Sequence, residues 1–163
     1  MAIVDTFVGA HEQDVALRLL LAVLVGAAIG LNRDLRDKSA GLRTHALVSL
    51  GAALAVVAVF DPAGGGLDAL SRVVQGVLTG IGFLGAGVIL RNPGQRRVRG
   101  LTTAASIWLT ALFGVACGAG HYLAVGIALL LGLGVLLVGG AIERLARRWF
   151  GQTPDVDDEE PPA

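Results

Sequence analysis

Five apolar stretches, at residues 15–31, 44–60, 73–90, 101–119 and 122–142, occupy most of a 163-residue chain and dictate what it can fold into. A helix crossing about 30 Å of hydrocarbon, at about 1.5 Å per residue, needs around 20 largely apolar residues. Each stretch comes near that length, so the sequence predicts an all-α polytopic membrane bundle of about five transmembrane helices. The second stretch is short. The fourth carries Thr102, Thr103, Ser106 and Thr110, hydroxyls that can bond their own helix or a neighbouring one. Composition agrees: 54% of residues are hydrophobic and 16% charged, too apolar for an ordinary soluble domain. The 24 glycines fit close helix approach in lipid.

Charge orients the spans. Arg33, Arg36, Lys38, Arg43, Arg91, Arg96, Arg97, Arg99, Arg144, Arg147 and Arg148, eleven of the thirteen basic residues, fall on one side if the span number is odd; Arg18 and Arg72 fall on the other. Cytoplasmic loops collect Lys and Arg, so the N-terminus is expected outside and the C-terminus in the cytoplasm. Residues 1–14 carry Asp5, Glu12 and Asp14 and no base, unlike a cleaved signal peptide. They form an expected extracytoplasmic segment ahead of a transmembrane domain at 15–142. Residues 143–163 are expected as a basic interfacial stub, with Trp149 and Phe150 at headgroup level, followed by a disordered acidic cytoplasmic tail. Asp61 and Asp68 make the outer face mildly acidic. The net charge of zero gives no attraction to nucleic acid. Cys117, the single cysteine, reads as packing.

Three segments carry the candidate chemistry. Gly80, Gly82 and Gly85 spell GxGxxG, but inside an apolar run rather than between a strand and a helix, which excludes a dinucleotide loop. Gly76 with Gly80 forms a GxxxG pair, and Gly87 lies two turns from Gly80 on the same face. Helix packing is the expectation, with a midplane helix break exposing carbonyls to an ion, assisted by Gln75, as the alternative. The connection from Asn32 to His45 packs four bases and two acids into fourteen positions. Charges at membrane depth need partners, so Asp34 is expected to pair with Arg43 or Arg99. Its other candidates are Arg33, Gly41, Thr44 and His45. Arg99, Gly100, Thr102 and Thr103 open the fourth span, where free backbone N–H groups favour a phosphate or a carboxylate such as Asp34. No hydrolase triad, HExxH or Walker lysine occurs, so no enzyme and no cofactor are expected.

The blocks AGLRTHALVSLGAAL (40–54), TGIGFLGAGVILR (79–91) and VRGLTTAASIW (98–108) closely resemble the membrane domain of the MgtC/SapB family, over roughly residues 15–142. That resemblance implies a bacterial inner-membrane protein linked to growth at low magnesium, to stress physiology and, in some pathogens, to virulence. It implies action on a partner membrane complex, with a small, oligomeric carrier or channel for Mg²⁺ or another cation as the alternative. Two departures stand out. Relatives commonly carry Glu where this chain has Asn32, and many continue into a cytoplasmic regulatory domain where this chain has an acidic tail.

Overall fold

Apolar sequence in lipid must satisfy its backbone hydrogen bonds internally, and the chain does so with helices. A computed structural model describes residues 2–59, 66–91 and 98–149. The helices are α1 (Ala2–Asp34), α2 (Leu42–Val57), α3 (Leu67–Val88), α4 (Leu101–Gly118) and α5 (Tyr122–Trp149). A two-residue antiparallel ladder, β1 (Leu90–Arg91) against β2 (Val98–Arg99), precedes α4, with Leu90 opposite Arg99. The acidic tail, Asp61 and the tip of the connection between β1 and β2 lie outside the described residues.

Among the described residues four helices are long and apolar enough to cross a membrane: Gln13–Asp34 within α1, Leu67–Val88, Leu101–Gly118 and Tyr122–Ile142. The chain is therefore an all-helical, multi-pass membrane protein in contact with the bilayer. The second predicted span differs from expectation. It begins at Leu42 and ends at Val57, 16 residues that reach only about 24 Å at the helical rise. The sequence beyond it, with Asp61-Pro62 and three glycines at 64–66, is poor helix-forming material.

That short helix is the centre of the bundle. Its His45, Ser49, Ala52, Ala53 and Val56 are buried between α1 and α4. Both neighbours meet it through glycines spaced four apart. A methyl on Gly26 would strike the His45 carbonyl and Ser49, and one on Gly30 would strike the Leu42 backbone. On α4, a methyl on Gly114 would meet the Ser49 carbonyl and Ala52, and one on Gly118 would meet Ala53 and Val56. The chain's working GxxxG faces are thus GAAIG on α1 and GVACG on α4.

The expected pair on α3 plays no such part: Gly76, Gly80, Gly82 and Gly87 have nothing within 4 Å of an added methyl. Of the α3 glycines only Gly85 is buried, with its added methyl 3.6 Å from Ala104 on α4. Nor is α3 broken there, since it is helical without interruption to Val88. An apolar cluster of Ala22, Val25, Ile29, Ala53, Phe113, Cys117 and Val125 fills the middle of the bundle, and a second, of Ala40, Ile81, Ile107 and Ala111, joins α3 to α4. α3 and α5 lie outermost, with Phe83 and Leu123 about four-fifths exposed, surface that suits lipid.

Candidate functional site

The end of α1, the start of α2 and the start of α4 converge, and the polar residues of the two connecting segments converge with them. Asp34, the last residue of α1, accepts a hydrogen bond from the Leu42 N–H at 2.9 Å. The carboxylate thereby caps α2, whose N-cap residue, Gly41, has no side chain to do so. A methyl on Gly41 would land on that carboxylate, so the glycine is dictated by close approach. Gly100 is dictated twice over: its φ is +91°, and a methyl there would strike the Val88 carbonyl.

His45 is fully buried. Its Nδ1 lies 2.9 Å from the Gly41 carbonyl and its Nε2 lies 3.1 Å from Ser106 Oγ. Ser106 Oγ also donates to the Thr103 carbonyl at 2.8 Å, and Thr110 Oγ1 donates to the Ser106 carbonyl at 2.8 Å. The Gly41 carbonyl needs a proton on Nδ1, which a neutral ring supplies. A neutral ring leaves the single Ser106 hydroxyl proton to choose between Thr103 and Nε2. One turn along α2, the Ser49 hydroxyl is buried without a partner.

Arg33 is 3% exposed, and its Nη2 donates to Thr103 Oγ1 at 2.7 Å. Its Nε is buried without a partner, as is Asn32 Oδ1 beside it in sequence. Among the described residues the one ion pair is Arg18 with Asp14, at 2.7 Å, near the opposite end of the Gln13–Asp34 span of α1. There Arg18 Nη1 also donates to the Gly118 carbonyl at 2.7 Å, and the Tyr122 hydroxyl donates to Asp14 at 3.3 Å. A charged side chain inside a span is thus satisfied at that end.

The structure brings Arg33, Asp34, Gly41, His45, Gly100 and Thr103 together. Arg43, Thr44, Arg99 and Thr102 stand exposed at the same end. Gln75, Gly80, Gly82 and Gly87 lie apart, exposed on α3, and Gly85 is used in packing. The pairing of Asp34 with Arg43 or Arg99 does not form. The carboxylate does sit at a helix N-terminus, as expected of such a group, but at that of α2 rather than α4, because the connection at 35–41 brings α2 back against α1. Sequence reading passed over the Ser49 and Ser106 hydroxyls as site members and the trio of Asp14, Arg18 and Tyr122. The first two were signalled by spacing, since Ser49 follows His45 by four residues and Ser106 follows Thr103 by three.

A family model described as MgtC family matches residues 19–145. The chain is 50% identical over 115 residues to the protein SrpB of Synechococcus elongatus, 64% of this chain and 63% of that one. It is 46% identical over 106 residues to the protein MgtC of Salmonella typhimurium strain LT2, 65% of this chain and 44% of that one. It is 44% identical over 114 residues to the Escherichia coli K12 protein named "Putative magnesium transporter YhiD", 65% of this chain and 51% of that one. The matches therefore span about half to under two thirds of these relatives' lengths. No solved structure matches the chain.

Proposed function

The chain belongs to the MgtC family, and from that premise we propose that it is a non-enzymatic protein of the bacterial inner membrane. It serves magnesium-limitation or stress physiology by lateral contact with a membrane-embedded helix of a partner complex. The observation that carries this reading is the face of α3. Gly76, Gly80 and Gly87 lie along a continuous helix, open to their surroundings and unused by the chain's own packing. Backbones approach closely in lipid where such residues line a helix. The orientation that places the Arg33 end in the cytoplasm rests on the eleven bases collected there.

The test separates fold from contact. Gly80 is exposed and a methyl there meets nothing within 4 Å, so Gly80→Leu should reach the membrane at wild-type levels. It should nevertheless fail to restore growth of a deletion strain in magnesium-depleted medium. Full rescue by Gly80→Leu, or mild-detergent purification that recovers this chain alone, would remove the partner reading.

A second reading, passage of Mg²⁺ or another cation through an oligomer, is favoured by the name of the 44% identical relative from Escherichia coli. The purified chain in liposomes should then pass Mg²⁺ down an imposed gradient, and a flux no greater than that of empty liposomes sets this reading aside.

A further inference from the structure

Arg33 is a buried cation that nothing described in the molecule neutralises. The residue is 3% exposed; its guanidinium spends Nη2 on Thr103 Oγ1 and leaves a buried Nε unpartnered. Asp34 turns its Oδ2 to the Leu42 N–H and forms no ion pair with Arg33, and Asp37 is exposed on the connection to α2. No Asp or Glu occurs anywhere between Asp68 and Glu143, nor within α2, so neither α2 nor α4 nor the span of α5 can supply a carboxylate. A buried guanidinium without a counter-charge is costly, and the cost falls when an anion reaches it.

The position where that anion would sit is already furnished with donors. Thr103, which holds the guanidinium, is the third residue of α4. The first backbone N–H groups of a helix have no intrahelical acceptor, and Gly100 provides no side-chain cap. Those groups, with the positive end of the helix dipole, attract anions. Leu101 and Thr102 are exposed, which gives access from the surface, and Arg99 is exposed immediately before them. The ladder leading into α4 belongs to a segment that carries Arg91, Arg96, Arg97 and Arg99 with no acid among them.

We propose that Arg33 and the first turn of α4 bind a phosphate-class oxyanion, a planar guanidinium fork on one side and backbone N–H groups on the other. Both donor sets match oxygens spread over a tetrahedral anion. Two sources share that chemistry at a membrane boundary, a lipid headgroup and free phosphate. The site is distinct from the open face of α3 and does not depend on the partner reading above.

The full chain is assembled in phosphatidylcholine nanodiscs and its thermal unfolding midpoint is followed in two arms. One arm adds sodium phosphate against sodium chloride at matched ionic strength; the other replaces part of the phosphatidylcholine with phosphatidylglycerol. A saturable rise in the phosphate arm identifies the free anion, and a rise confined to the phosphatidylglycerol arm identifies the headgroup. In either case Arg33→Gln and Thr103→Val lose the rise, while Lys38→Gln, an exposed base on the same connection, keeps it. Thr103→Val retains the buried charge and removes only its anchor, so it decides the matter if Arg33→Gln does not fold. A wild type unmoved in both arms overturns the proposal. So does a rise retained by Thr103→Val, or one lost equally in Lys38→Gln.

Discussion

Asp34 and Gly41 shape the first turn of α2 between them, one by supplying an acceptor and the other by making room for it. Replacing Asp34 with Ala should cost about 1 kcal/mol, the usual loss when a capping side chain is removed. Gly41→Ala should cost more, about 1–3 kcal/mol, because its methyl lands on the carboxylate and forces the neighbouring backbone apart. Chemical denaturation of the detergent-solubilised chain checks the order, and equal stability of Gly41→Ala and wild type would contradict it. Much of this cluster was legible beforehand, because arginine, aspartate and histidine at the edge of apolar runs demand partners. The partners themselves were not. Asp34 has two arginines within plausible reach in sequence, and only the path of residues 35–41 decides that a backbone N–H takes it instead. A hydrogen bond to the main chain leaves no trace in residue identity, whereas an ion pair does.

At the level of helices, the two glycine pairs beside α2 and the glycines of α3 look alike in sequence and behave oppositely in the structure. Gly114→Ala should destabilise the chain by about 1–3 kcal/mol, since its methyl meets the Ser49 carbonyl and Ala52. Gly134→Ala, on a stretch of α5 with open space, should be neutral or stabilising by up to about 1 kcal/mol through helix propensity. Unfolding midpoints of the two variants measured side by side give the sign of each. The number and type of helices were readable because about 20 apolar residues have few other fates in lipid. Which glycines pack was not, because GxxxG occurs on α1, α3 and α4 alike, and the choice depends on which helix lies opposite. The outermost helices turn most of their glycines away from the bundle, Gly85 and Gly132 excepted.

For the whole molecule, the polar residues divide between the two ends. Asp14, Arg18 and Tyr122 close one end in a satisfied trio, while Arg33, His45, Thr103 and Ser106 form a denser network at the other, which still has unmet hydrogen-bonding capacity. Single-cysteine variants made in a Cys117→Ser background test the orientation. A cysteine at exposed Leu123 should react with an impermeant maleimide added to intact cells, and one at exposed Lys38 should react only after lysis. The reverse pattern would invert the bundle and move the oxyanion site to the outside.

The central position of α2 bears on how the chain is made. A ribosome finishes α2 well before the second half of its clasp exists, because GVACG is encoded about sixty residues later, a delay of several seconds at ordinary elongation rates. During that interval the helix, shorter than the bilayer core, has only α1 to shield Ser49 and His45 from lipid. α1 and α2 must therefore enter the membrane as a hairpin and wait there, and a chain interrupted before α4 leaves α2 half wrapped, in the state a membrane quality-control protease would meet first.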